Sequence, residues 1–244
     1  MKKLLYILLL LSQISWAQSA FEQGNDLYRK GNYAEAIKQY ESILKDGQES
    51  AELYFNMGNA YYKLNKTAPA IYNLEKALLL KPNDEDIKAN LAFTQKMTVD
   101  DAKPVTQSGF AGLMGGSQNY DRWAWVAVIT CFIFFSLFLG YYMALTSSRK
   151  RLYFIGMAVA VVVIVITLPI AFMLKSIDAA ERPAIIFANQ VAVKSEPLAT
   201  ASAAFTLHEG TKVNVIDTLE NWKKIELSGN QKGWVEAGAI KEVK

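Results

Sequence analysis

His208 and Cys131 are the side chains in this chain best suited to nucleophilic or metal chemistry, and each type occurs once. A thiolate needs an imidazole beside it for activation, and a metal site needs several converging ligands. Cys131 lies inside the apolar run VITCFIFF, where it reads as a small hydrophobe. His208 lies far from it, in the polar turn HEGT. One histidine far from the one cysteine leaves no Cys–His dyad, no histidine metal cluster and no intrachain disulfide within one chain, and no Ser–His–Asp triad is expected. The glycine-rich stretch GFAGLMGGS (109–117) lacks the Lys-Ser/Thr that completes a phosphate loop, and reads as a flexible or interface-lying linker. Asp100 and Asp101, in the same linker, read as solvated. The expectation is a chain that is no enzyme and has no cofactor and no metal. What remains is recognition.

The residues that could recognise a partner are placed by a repeat. GNDLYRKGNYAEAIKQYESIL aligns with GNAYYKLNKTAPAIYNLEKAL at an offset of 34 residues, so that Gly24 matches Gly58, Ala36 matches Ala70 and Leu27 matches Tyr61. Small residues at these positions let two helices of a hairpin approach closely, with Tyr40, Leu74 and Ala77 packing behind them. Pro69 falls in the first turn of its helix, where a missing N–H is harmless, and Pro82 follows the second helix pair. This pattern resembles the tetratricopeptide repeat family. It departs from the family at Gln48, where a turn proline is usual, and at Ile43, where alanine is usual. A third unit begins at DEDIKANLAFTQKM and does not complete; Ile87, Leu91 and Met97 read as one amphipathic helix closing the stack.

The resemblance implies a concave groove lined by the first helix of each hairpin, which in such arrays holds extended segments or helices. By repeat position the groove residues are Phe21, Asn25, Tyr28, Arg29, Phe55, Asn59, Tyr62 and Lys63. Asparagine amides can hold a peptide backbone, and Arg29 and Lys63 can meet carboxylates. The alternative for each is a solvated helix face. The version of this groove that clamps a chaperone's C-terminal carboxylate needs a lysine where Phe21 stands, so that reading fails.

Three apolar segments decide where these residues reside. MKKLLYILLLLSQISWAQSA has a charged start, a short apolar core and small residues at Ser15 and Ala17, which read as a secretory signal over residues 1–17; an uncleaved anchor is the alternative. Trp123 to Leu145 carries no charge, a length that at ~1.5 Å per residue crosses a ~30 Å hydrocarbon core. Its ends bear Trp123 and Trp125, then Tyr141 and Tyr142, as interfacial belts. Leu152 to Leu174 is equally uncharged, with Pro169 expected to bend it. Between the two lies TSSRKRL, and a short loop rich in Lys and Arg stays in the cytoplasm. Arg149, Lys150 and Arg151 therefore set the orientation, with both soluble parts outside. Residues 18–103 and 181–244 are each close to charge balance, so the excess positive charge surrounds the apolar segments. That argues against nucleic acid as a partner.

From Glu181 onward the pattern is of short strands. AIIFANQVAVKSEP, TKVNVIDTL, WKKIEL, KGWVEAG and AIKEV make five strands, with Ser228-Gly229-Asn230 as a hairpin turn. The segment resembles bacterial SH3-like domains in its opening strand VAVKSEP, its Glu-Gly turn in HEGTKVNVID, and the landmarks Trp222 and Gly233-Trp234-Val235. Such domains bind peptides or cell-wall peptides. Core is the alternative role for both tryptophans; Trp234, within an apolar triplet, is expected to be core, and Trp222, before two lysines, partly exposed.

The fold class expected is a multidomain membrane protein: all-α tetratricopeptide hairpins, a two-helix transmembrane hairpin and a small all-β SH3-like barrel. The expected divisions are a signal (1–17), repeats (18–98, as 17–50 and 51–84 with a capping helix 85–97), and a linker (99–121). Transmembrane helices (122–145 and 152–175) follow, joined by a cytoplasmic basic loop (146–151), and then the barrel (176–244). This order of modules resembles BatE-type proteins of bacterial aerotolerance (Bat) operons. The resemblance implies a non-catalytic scaffold in the bacterial inner membrane, working with other Bat proteins, some of which carry von Willebrand factor A domains. The alternative is a cell-wall sensor whose barrel binds peptidoglycan peptides. Expected partners are thus membrane or periplasmic proteins, with membrane lipid around the spans.

Overall fold

The computed structural model describes residues 20–100, 110–114, 116, 120–227 and 231–244; the expected signal, Asp101, and the Ser228-Gly229-Asn230 turn lie outside the described residues. Five helices come first: α1 (20–29), α2 (Tyr33–Lys45), α3 (Ala51–Lys63), α4 (Thr67–Leu80) and α5 (Glu85–Gln95). Ser50 caps α3 by accepting from the Leu53 N–H, and Asp84 caps α5 by accepting from the N–H groups of Asp86 and Ile87. The α1–α2 and α3–α4 hairpins are closed by the same device. A Cβ at Gly58 would meet the Leu74 side chain at 2.8 Å and the Ala70 carbonyl at 3.2 Å, and one at Gly24 would meet the Tyr40 ring. Only glycine lets these helices sit so close. Tyr40, Leu74 and Ala77 are fully buried behind the contacts. In α5, Ile87, Leu91 and Thr94 form the buried stripe, and Met97 lies in the turn after the helix rather than on it.

A seven-stranded antiparallel sheet forms the C-terminal part: β1 (Pro183–Ile186), β2 (Gln190–Lys194), β3 (Ala203–His208), β4 (Lys212–Leu219), β5 (Trp222–Glu226), β6 (Lys232–Glu236) and β7 (Ile240–Glu242), in the order β3-β2-β6-β5-β4-β1-β7. Two strands exceed the expected five. AIIFANQVAVK breaks into β1 and β2, and AAFTLH forms β3 although the small residues before it obscure its alternation. Nine residues drawn from all seven strands share one core, including Ile186, Val193, Leu207, Val215, Ile225 and Val235. The sheet therefore curls around that core.

The described residues form two compact units. One joins α1–α5 to the sheet. The other contains α6 (Phe110–Leu113), α7 (Tyr120–Met143) and α8 (Ser147–Ala180). Helices α7 and α8 are long and apolar enough to cross a membrane. They pack through small residues: a Cβ at Gly140 would touch Tyr153, and one at Gly156 would touch Leu137. Most of their large side chains, among them Phe132, Phe135, Val162 and Phe172, point outward and stay exposed. A buried helix pair of a soluble core would instead cover them. Arg149, Lys150 and Arg151 belong to the first turn of α8, where all three are exposed, and the connection shrinks to residues 144–146. The expected loop is shorter than 146–151 because helical hydrogen bonding starts at once, the Lys150 N–H donating to the Thr146 carbonyl.

Candidate functional site

Helices α1, α3 and α5 run as successive first helices of the array, and asparagines tie them together. The Asn56 amide donates to Asn25 Oδ1 at 2.9 Å, and the Asn90 amide donates to Asn59 Oδ1 at 3.0 Å. Each pair has the same spacing, so the ladder is a repeat feature. Asn25 also accepts from the Tyr40 hydroxyl at 2.8 Å. The carbonyl oxygens of Asn25 and Asn59 therefore hold neighbouring helices in register. Those two oxygens are thus already engaged within the array.

Beside the second rung of this ladder lies a cavity of about 280 Å³. Four expected residues line it: Tyr28, Asn59, Tyr62 and Lys63. Asn90, Phe93 and Thr94 of α5 complete it. Reading α5 as a cap missed these three, although Asn90 stands one repeat after Asn56 and Phe93 one repeat after Asn59. Phe93 is 60% exposed, with the Lys96 ammonium 4.9 Å from its ring centre. Burial, reinforced by Tyr33, raises the Tyr28 pKa and keeps its hydroxyl protonated as a donor. Three rings, a lysine and two amides fit a short peptide with an apolar side chain and an acidic group.

The other expected groove residues lie elsewhere. Phe21 packs beside the buried Tyr40 ring, their centres 6.0 Å apart. Arg29 is exposed and paired with Asp26 one turn earlier. Phe55 turns toward the core around Ala77, Ile87 and Leu91, because that side of α3 faces α4 and α5.

A second constellation joins the helices to the sheet. Asp100 was expected to be solvated; instead its Oδ2 accepts from the His208 N–H at 2.7 Å and from the Thr211 hydroxyl at 2.6 Å. His208 Nδ1 lies 2.8 Å from Oδ1 of the same carboxylate. Burial pushes the Asp100 carboxyl up, but the bonds from Thr211 and His208 outweigh it and hold the pKa below the usual value. Helix α4 has no side-chain cap of its own, and Glu209 supplies one, accepting from the Ala68 N–H at 3.0 Å. Gly210, at φ +87°, sits where a Cβ would strike Thr67, Thr98 and Ile71. Lys212 pairs with the buried Glu75 at 2.7 Å. Ile185 and Val243 share one buried cluster with Ala68, Ile71, Leu74 and Leu91, while Phe187 meets Tyr72 edge-on at 5.7 Å. A terminal repeat exposes an apolar face that needs cover. Here the sheet covers it.

Comparison with known families agrees with this architecture. Residues 24–65 match a model described as TPR repeat, residues 51–84 match the tetratricopeptide repeat model, and residues 189–241 match the bacterial SH3 domain model. The chain carries tetratricopeptide repeats and a bacterial SH3-like domain. Its repeats are 32% identical over 69 residues to tetratricopeptide repeat protein 16 of Homo sapiens, covering 28% of this chain and 8% of that protein. They are 32% identical over 75 residues to the DnaJ homolog subfamily C member 7 homolog of Schizosaccharomyces pombe, covering 29% of this chain and 16% of that one. Similarity to Hsp70-Hsp90 organizing protein 1 of Glycine max is 33% over 66 residues, covering 27% and 12%. The chain spans less than a fifth of the length of these relatives.

In the SH3-like domain, strand register places Trp222 and Trp234 on one outer face. Trp222 stands opposite Glu236 and Leu219; Trp234 stands between Lys224 and Lys194 on its two neighbouring strands. The Lys224 ammonium is 5.6 Å from the Trp234 ring centre. Both tryptophans are half-buried. Trp222 is thus partly exposed, but Trp234 is not core. The pleat explains the difference: Gly233 and Val235 point inward, so the residue between them must point out.

Proposed function

We propose that this chain is a non-catalytic adaptor of the bacterial inner membrane that captures a protein segment in its repeat groove. The cavity bounded by Tyr28, Tyr62, Lys63 and Phe93 carries the reading. It remains open while the SH3-like domain occupies a different face of the helices, along α4 and its N-terminus. In this arrangement the SH3-like domain braces the array, and the groove is left for a partner. Helices α7 and α8 are the anchor, with Arg149, Lys150 and Arg151 keeping their connection in the cytoplasm and both soluble parts outside. The order of modules, like that of BatE-type proteins, favours other Bat proteins, including those with von Willebrand factor A domains, as the partners.

The test is site-specific photocrosslinking in the native membrane from position 93, with position 30 as an exposed control outside the cavity. A discrete adduct from 93 that is absent from 30, and absent when Lys63 is replaced by Glu, supports the reading. Equal, diffuse adducts from both positions would count against the groove.

A further inference from the structure

Helix α5 is the third first helix of the array, and among the described residues no second helix follows it in that unit. A helix of 11 residues is marginal by itself, so it must be held from outside. Its two halves are held by different parts of the molecule. The first half has the Asp84 cap, and Ile87 lies in a buried cluster with Ala51, Tyr54 and Ala77 of α3 and α4. Leu91, one turn later, belongs to the cluster in which Ile185 of β1 and Val243 after β7 meet Ala68, Ile71 and Leu74 of α4.

Beyond Gln95 the chain stays wound. The N–H groups of Lys96, Met97 and Thr98 donate to the carbonyls of Phe93, Thr94 and Gln95 at 3.2, 3.0 and 3.2 Å, and the Thr98 hydroxyl donates to the Gln95 carbonyl at 2.7 Å. This turn delivers Thr98 to Gly210, where a Cβ would meet the threonine methyl at 2.9 Å. It also delivers Asp100 to the His208 N–H and the Thr211 hydroxyl. The SH3-like domain thus supports the second half of α5 from its buried side and from its end. The cavity residues that α5 supplies, Asn90, Phe93 and Thr94, all lie in that half. Asn90 carries the rung to Asn59, and the almost fully buried Thr94 donates to the Asn90 carbonyl at 2.7 Å. The α1 and α3 walls differ, being backed by α2 and α4 at the Gly24 and Gly58 contacts.

We propose that the SH3-like domain stands in for the missing second helix, and that its docking decides whether the groove can capture a partner. This rests on the groove reading above. Asp100 and Thr211 are then positioning residues: they line no part of the cavity and act by keeping Asn90, Phe93 and Thr94 in place as its third wall. When the seam opens, the second half of α5 frays and the cavity loses that wall. Coupling between two equilibria is reciprocal, so a captured partner tightens the seam by the same factor as the seam tightens capture. The domain thereby contributes to recognition without touching the recognised segment.

The experiment uses the full chain, with the photocrosslinker at position 93 in the native membrane and hydrogen exchange after transfer to lipid nanodiscs. Asp100→Ala and Thr211→Val loosen the seam, Asp100→Asn keeps one acceptor, and Lys63→Glu alters the groove directly. Asp100→Ala should lower the yield of the discrete adduct about five-fold or more, the low end of typical couplings, with Asp100→Asn in between. Exchange in the second half of α5 should quicken together with residues 203–213, while α2 and α3 exchange as in the unsubstituted chain. In the purified adduct, exchange over 203–213 should be slower than in the uncrosslinked chain, an effect that a seam with a structural role alone would not give. Should Asp100→Ala also quicken α2 and α3, Thr211→Val, which removes one hydroxyl, becomes the deciding variant, with the same changes expected on a smaller scale. An undiminished adduct in the seam variants, or equal exchange over 203–213 with and without the crosslinked partner, would overturn the coupling; loss of the adduct in Lys63→Glu would leave the groove reading standing. An adduct that survives Lys63→Glu would overturn the groove reading and the coupling with it.

Discussion

Asp100 and His208, 108 positions apart, share two contacts: the His208 backbone N–H donates to Oδ2 at 2.7 Å, and its Nδ1 lies 2.8 Å from Oδ1. With Thr211 on the same carboxylate, this is where the end of the repeats is fastened to the SH3-like domain. Replacing Asp100 by alanine leaves the His208 N–H and the Thr211 hydroxyl without their acceptor, a loss of ~1–3 kcal/mol. Hydrogen exchange over residues 203–213 should accelerate in Asp100→Ala, while exchange in α2 and α3 stays as it was.

The same carboxylate makes the seam sensitive to acid. The folded pKa of Asp100 is lowered, as is that of Glu242, where burial acts upward but the bonds from Arg182 and Lys223 prevail. A lowered pKa contributes stability that is fully present above the unfolded value near ~4 and is lost as pH falls through the folded value. Thermal stability of the full chain in detergent should be flat with pH above that value and drop below it. Asp100→Asn should remove part of the drop; an unchanged profile would show that the seam contributes nothing to it.

Gly58→Leu should unfold the repeats. The added side chain must displace Leu74 and the Ala70 carbonyl, an overpacking cost of ~1–3 kcal/mol or more in so small a module. Loss of helical circular dichroism below the wild-type melting temperature is the readout. Lys63→Glu and Phe93→Ala, at exposed cavity positions, should leave that signal intact and reduce partner crosslinking instead.

In the SH3-like domain the two tryptophans should behave alike. Each is half-buried on the outer face, so alanine at either should cost less than truncating Ile225, which is fully buried and for which ~2–5 kcal/mol is expected. Melting temperatures of the three variants decide it. Trp234→Ala as damaging as Ile225→Ala would mean that Lys224 and Lys194 hold the ring in a structural clamp.

Orientation is tested by reporter fusions. Fusions at Asp100 and at Lys244 should be active outside the cytoplasm, and one at Ser148 only inside. Neutral residues in place of Arg149, Lys150 and Arg151 should weaken this pattern.

Several features were legible in the residues alone because they are local or periodic. The 34-residue offset brings glycine to positions 24 and 58, where helices touch. Long uncharged runs become α7 and α8, and KVNVI alternates because one face of β4 is core. The same period, carried one step further, would also have reached Asn90 and Phe93. What the tertiary structure alone decided is everything that depends on two distant segments meeting. AIIF shows no alternation because Ala184 and Ile186 face the core of the sheet while Ile185 and Phe187 face α4 and α5. A strand covered on both sides cannot reveal its period. Glu209 and Gly210 read as a turn, yet they also cap α4 and admit its first residues, and Asp100 reads as a solvated linker acid until His208 and Thr211 are brought to it. Chain neighbours determine a side chain's spacing and face. Only folding determines its partner across more than a hundred residues.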